Sequence, residues 1–185
     1  MRTCYSVQAR VNWLAMLSFD LRSLDAKAAV VEGELAPDDE VWQEGDAKPD
    51  EPITVTGRIS AAGEGRYYWS GRLDGSIELS CRRCLEPVVV EVDEEAHMLF
   101  AESGDDDEAD DPDIFQIPPG ASTLDLRPAV REQWLLVVPA FALCREDCKG
   151  LCANCGADLN AGACACPPAT DSRWDALRAA RPDSR

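Results

Sequence analysis

Between Ile53 and Phe100 the apolar positions recur with period two. The stretch "ITVTGRIS" puts Ile53, Val55, Gly57 and Ile59 on one face. "RYYWSGRL" and "GSIELSC" follow, rich in aromatic and β-branched residues, and Asp74-Gly75 between them predicts a hairpin turn. "EPVVVEVDEEAHMLF" then alternates through Val88, Val90 and Val92. Four short strands with short connections predict an antiparallel meander or a small barrel-like sheet. After Ser122 the period changes. In "STLDLRPAVREQWLLVVPAF", Ser122, Thr123 or Asp125 is placed to cap a helix, Pro128 suits its first turn and Pro139 stops it. Val130, Trp134, Leu135, Val137 and Val138 form its apolar face, so the helix is expected to cover the sheet. The fold class expected is therefore α+β, a sheet covered by a helix, with a C-terminal zinc-ribbon-like cysteine module.

Charge refines this organisation. The 185 residues carry a net charge of −17. Glu32 to Glu51 holds nine acids against Lys48 alone and is broken by Pro37 and Pro49; "ESGDDDEADDPD", from Glu102 to Asp113, has no base at all. Both runs read as solvated linker. The divisions expected are an acidic N-terminal segment (1–52), a β region (53–101), an acidic linker (102–121), a helical segment (122–143) and a cysteine-rich module with a short final helix (144–185). So acidic a chain repels nucleic acid and anionic membranes on average, and basic proteins are its easier partners. No targeting segment is evident, and no apolar run reaches the ~18 residues of a membrane span. A cytoplasmic protein with no membrane contact is expected.

The candidate chemistry lies in the cysteines. Nine occur, and only Cys4 stands alone. Cys81 and Cys84 form one C-x2-C and Cys152 and Cys155 another; Cys144 pairs with Cys148, and Cys164 with Cys166. In a reducing compartment such pairs mean metal or redox chemistry more often than disulfides. Two intervening residues let both sulfurs converge on one ion, and Gly156 frees the backbone to fold around it. One arrangement groups Cys152, Cys155, Cys164 and Cys166 about one zinc and Cys81, Cys84, Cys144 and Cys148 about another. The other takes four of the six tail cysteines for a single zinc. Spacing does not choose between them. No βαβ pattern surrounds either motif, which disfavours a thioredoxin-like couple. Arg82, Arg83, Arg145 and Lys149 flank the ligands, as charge compensation or as phosphate contacts, and Arg173 and Arg178 make the terminus locally basic. His97, the one histidine, reads as an ordinary side chain. With no catalytic set and no phosphate loop, neither an enzyme nor a small-molecule substrate is expected.

The motifs "LSCRRCLEPVVVEV", "LDLRPAVREQWLLVVPAFALCREDCKGLCANCGADLN" and "DSRWDALRAA" together resemble the YceD family, the large-ribosomal-subunit RNA accumulation proteins of bacteria and plastids. The resemblance covers roughly Ile53 to Ala179. It implies a non-enzymatic role in accumulation or processing of 23S ribosomal RNA and in assembly of the large (50S) subunit. The partners it implies are assembly intermediates, met through 23S rRNA, a basic ribosomal protein or an assembly factor. The cysteines carry over as metal-ligand candidates. The readings that compete with it are a zinc-ribbon nucleic-acid-binding protein or transcription regulator, and a thiol oxidoreductase.

Overall fold

The computed structural model describes residues 17–63, 65–102, 113–167 and 172–175. The chain divides into two compact units: Met1–Leu79 with Val89–Ala140, and Ser80–Val88 with Phe141–Arg185. The first C-x2-C thus belongs with the cysteine-rich tail rather than with the β region.

The first unit is built on a five-stranded sheet in the order β2-β3-β4-β5-β6, from β2 (Ala29–Leu35), β3 (Ile53–Gly63), β4 (Arg66–Ser80), β5 (Pro87–Glu102) and β6 (Ile114–Ile117). β2 pairs antiparallel with β3, and β3 with β4, as in Val31↔Gly57 and Ile59↔Trp69. The cross-strand contacts Tyr68–His97 and Arg72–Asp93 run in opposite directions along β4 and β5, so these strands are antiparallel too. β6 lies parallel to β5. Among the described residues the sheet has its edges at β2 and β6, with no pairing between them.

Period-two alternation sends one face inward. Val31, Leu35, Ile53, Val55, Ile59, Trp69, Leu73, Val92, Met98 and Phe100 are buried. At about 1.5–3 kcal/mol for each large apolar side chain removed from water, this face is the main source of stability in the unit. Helix α2 (Arg127–Val137) adds Ala129, Val130 and Trp134 to the same core. A short antiparallel pair, β1 (Ser18–Asp20) with β7 (Thr123–Asp125), and helix α1 (Leu21–Ala26) complete it, burying Leu17, Leu21 and Leu24. Asp20 caps α1 by accepting the Ser23 N–H at 2.9 Å. No helix among the described residues is long and apolar enough to cross a membrane.

Four local expectations are corrected. Asp74-Gly75 is not a turn: β4 runs straight through it. A Cβ on Gly75 would lie 3.0 Å from the Trp134 ring. The glycine is there because an indole rests on the strand. Second, the Glu32–Glu51 run is not a free linker. It contains most of β2, and Trp42 is in the core with its Nε1 donating to the Ala36 carbonyl at 2.8 Å. Its acids meet arginines of α2. Asp46 binds Arg131 through two bonds of 2.7 and 2.8 Å, and Asp39 lies 3.3 Å from Arg127. The Arg131 guanidinium holds the Asp46 carboxyl below its ordinary range, against the opposing effect of burial. Third, Leu126 occupies the N-cap of α2 with no side-chain cap bond; Thr123 and Asp125 lie in β7. Asp125 instead accepts the Arg127 N–H at 3.0 Å from one position earlier. Fourth, the segment assigned as acidic linker contains β6; residues 103–112 lie outside the described residues.

If Gly75 makes room for Trp134, Gly75→Val will lower unfolding stability by about 1–3 kcal/mol through overpacking, despite the better strand propensity of valine. Urea denaturation checks this, and an unchanged or raised midpoint refutes it.

Candidate metal centres

The second unit is organised by two loops with the same backbone design. In the first, the Leu85 N–H donates to the Cys81 carbonyl at 2.9 Å, and the Cys81 N–H to the Glu86 carbonyl at 2.8 Å. In the second, the Gly156 N–H donates to the Cys152 carbonyl at 2.9 Å, and the Cys152 N–H to the Ala157 carbonyl at 2.8 Å. Each loop turns tightly after its second cysteine, which demands a positive φ there. Gly156 has φ 73°, and Leu85, in the equivalent place, has φ 65°. Glycine adopts this region freely, whereas leucine is strained in it. Sequence inspection marked Gly156 but had no signal for Leu85.

These loops bring eight sulfurs into two groups. The sulfurs of Cys81, Cys84, Cys144 and Cys148 all lie within 4.8 Å of one another, and so do those of Cys152, Cys155, Cys164 and Cys166. This is the first of the two arrangements that spacing allowed. In the first group Cys81 Sγ is 3.9 Å from Cys148 Sγ, and Cys84 Sγ is 3.6 Å from Cys144 Sγ. Four sulfurs about 2.3 Å from a tetrahedral zinc stand ~3.8 Å apart, so the group fits that ion with little rearrangement. Four soft thiolates suit zinc, and a full set of protein ligands leaves no open position for catalysis.

The surroundings are built for thiolate charge. Asn160 Nδ2 donates to Cys148 Sγ at 3.6 Å, and the Asn154 N–H points at Cys152 Sγ at 3.4 Å. Backbone N–H groups of Cys144, Cys84 and Arg83 lower the Cys81 thiol to about 6; those of Cys155 and Asn154 do the same for Cys152. The opposite happens across each group. The neighbouring Cys84 sulfur and burial push Cys144 up to about 12, and the Cys155 sulfur and burial push Cys166 up to about 11. Each group thus offers one ready thiolate and holds another thiol protonated until a cation arrives.

The basic candidates separate into different roles. Arg83 donates to the Cys148 carbonyl at 2.8 Å and the Glu146 carbonyl at 3.1 Å, so it braces the first centre. Arg145 lies 3.3 Å from Asp147. Arg82 is exposed and sits 5.4 Å from the centroid of Phe141, itself 68% exposed. Lys149 is exposed, while its backbone N–H donates to Asn160 Oδ1 at 2.7 Å. Arg173 is exposed in a short 3-10 turn, Ser172–Trp174. Arg178 lies outside the described residues. Asn160, noticed in sequence only as part of a turn, joins the two centres: it sits between Cys155 and Cys164 yet bonds Cys148.

Residues 69–179 match the family model described as the large ribosomal RNA subunit accumulation protein YceD, and the chain belongs to that family. A Zea mays protein named large ribosomal RNA subunit accumulation protein YCED homolog 1, chloroplastic, is 27% identical over 150 residues, which are 66% of this chain and 51% of that protein. An uncharacterised Mycobacterium bovis protein is 30% identical over 111 residues, 59% of this chain and 46% of its own length. The chain spans about half the length of these curated relatives. No solved structure matches it.

Two outcomes follow from the loops. Thiols held near 12 and 11 must lose protons to bind metal, so adding Zn2+ to metal-free protein at pH 7 releases at least two protons per chain, seen with a pH indicator. Metal retention falls as pH drops, because protons compete with the ion for the same sulfurs, and falls more steeply once Cys81 and Cys152 protonate as well. Independently, Gly156→Leu destabilises its loop by about 1–2 kcal/mol, while Leu85→Gly leaves metal affinity equal or higher. Competition with a chelator measures both.

Proposed function

We propose that this member of the YceD family is a non-catalytic factor for accumulation and processing of 23S ribosomal RNA and for assembly of the 50S subunit. Its eight grouped cysteines hold two structural zinc ions. The observation that carries the reading is the repeated loop, with two closed four-sulfur sets in a unit whose described residues have almost no apolar core besides them. The family's description supplies the ribosomal context. When bound, each zinc crosslinks two chain segments. Cys81 and Cys84 hold the β4–β5 connection to Cys144 and Cys148, 60 residues further along, while Cys152, Cys155, Cys164 and Cys166 close the tail on itself.

The chain acts as an adaptor. Its net charge of −17 is poorly suited to coating RNA, since phosphate binding draws on lysine and arginine. It is better suited to hold a basic ribosomal protein or assembly factor on the maturing particle, in the compartment where large subunits are made. A second reading has one observation in its favour. Arg82 and exposed Phe141 form a cation–π pair of the kind on which an unstacked base can rest, so the metal unit is the place for direct RNA contact.

The reading predicts two zinc ions per chain by elemental analysis. Cys81→Ser with Cys84→Ser removes one, and Cys152→Ser with Cys155→Ser removes the other. Either pair, replacing the native gene, lowers mature 23S relative to 16S rRNA and depletes 50S particles in a sucrose gradient. Normal rRNA ratios in a strain lacking the chain would refute the function. A single zinc untouched by the 81/84 change would refute the first metal centre.

A further inference from the structure

The acid of this chain is partitioned. The first unit has 10 bases against 28 acids, and the second has 8 against 7. Among the described residues of the first unit, two sets of acids stand apart. Asp39 and Asp46 are turned in and paired with Arg127 and Arg131. Another set lies on the outer face of the sheet. Strand register aligns Glu34 with Thr54 and Asp74, and Glu32 with Thr56 and Arg72. The Arg72–Asp93 and Tyr68–His97 contacts extend these rows to β5, where Glu91 and Glu95 alternate with Asp93 on the same side. Exposed carboxylates including Glu32, Glu34, Asp74, Glu91, Asp93 and Glu95 share this face with Arg58, Arg66 and Arg72, and Arg72 is already bound to Asp93. Val30, Val89 and Tyr68 are exposed on the same side at 66%, 60% and 40%.

An independent observation concerns the edge. β2 is the first strand in the sheet order, and among the described residues its backbone bonds only to β3. A seven-residue edge strand therefore presents unpaired N–H and C=O groups at every second position. An extended peptide can add there as a further strand.

We propose that the β2 edge and the adjoining outer face take an extended lysine- and arginine-rich protein segment. This rests on the assembly-factor reading above and names which surface meets the basic partner. The segment bonds along Ala29–Leu35 through its backbone. Basic side chains at alternate positions pair with Glu32 and Glu34, its apolar atoms rest on Val30, and the carboxylates of β4 and β5 add a longer-range attraction. Charge complementarity selects the occupant: a nucleic-acid backbone would be repelled by these rows.

The test uses the full chain and a fluorescein-labelled peptide of seven Lys-Thr repeats, by anisotropy in 150 mM KCl. Saturable binding is expected. The triple change Glu32→Lys, Glu34→Lys, Glu91→Lys weakens it at least tenfold. The triple change Asp38→Lys, Glu44→Lys, Glu51→Lys alters net charge equally but lies off this face, and it weakens binding less than threefold. Equal losses mean attraction to the whole polyanion and overturn the proposal. Hydrogen exchange should show Ala29–Leu35 amides slowed by the peptide; unchanged exchange overturns strand addition. Displacement of the peptide from β2 by an oligouridine also overturns it, in favour of RNA. Co-sedimentation with large-subunit precursors separates the two levels. If wild type and the face variant sediment alike with precursors, this surface is wrong and the assembly role stands. If wild type does not sediment with them, the assembly role falls, and the peptide assay still decides the surface.

Discussion

The second unit depends on convergence of four sulfurs from opposite ends of a long chain segment. Among its described residues the apolar cluster consists of Cys81, Cys84 and Cys148, with Val88, Leu143 and Leu151 partly buried against them. So small a core cannot offset the entropy of ordering the tail. A crosslink can. Closing a loop of 60 residues removes about 4 kcal/mol of denatured-state entropy in the chain-entropy model. A metal bound only by the folded arrangement adds its binding free energy on top. The remaining details of the unit serve that convergence. Arg83 ties down the carbonyls around Cys148, and N–H groups line Cys81 and Cys152. Leu85 tolerates a left-handed backbone because the turn must close there.

The first unit solves a different problem, which is to fold while strongly negative. Like charges spread over a small unit oppose compaction. Here part of the acid is neutralised internally. The 36–50 loop folds back on α2, where Arg127 and Arg131 meet Asp39, Asp125 and Asp46. These pairs are half-buried to buried and bidentate in places, so they persist in salt better than exposed pairs. They also position the loop so that Trp42 and Ala47 join the core and the Ala47 carbonyl accepts the Trp134 Nε1–H at 2.8 Å. Trp134 thus locks three parts together: the acidic loop, α2, and β4 at Gly75.

Much of this was legible in the sequence, and the failures share a cause. Alternation marked the inward faces of β3 and β5, and cysteine spacing marked the pairs of sulfurs that converge, because both are local signals. The grouping of those pairs was not legible, since it depends on where the β4–β5 connection meets the tail. Gly75 was misread as a turn because a glycine that makes room for a distant indole looks like one that turns the chain. β2 was misread as linker because its acids alternate with Val31, Gly33 and Leu35, and composition over a 20-residue window hides a period of two. Asp39 and Asp46 needed partners about 85 residues away to be recognised as structural. Leu85 carried no signal at all, because nothing in its identity announces a positive φ.

The two kinds of acid lead to a distinction that net charge conceals. Acids matched by Arg127 and Arg131 contribute to the fold and little to the outside field, because each is compensated within a few ångströms. Among the described residues, acids on the outer sheet face are interspersed with Arg58, Arg66 and Arg72. Neighbouring strands stand about 4.8 Å apart; carboxylates of β2 and β5, three strands apart at about 14 Å, are largely screened from each other, but those on one strand or two strands apart lie within or near one Debye length at physiological salt, about 8 Å. Their potentials therefore add instead of being screened singly. Glu32 and Glu34 lie on the strand whose outer backbone groups have no partner among the described residues, so a partner that satisfies one satisfies the other. Charge and hydrogen bonding select the same occupant there. The second unit, nearly balanced in charge, presents neither feature.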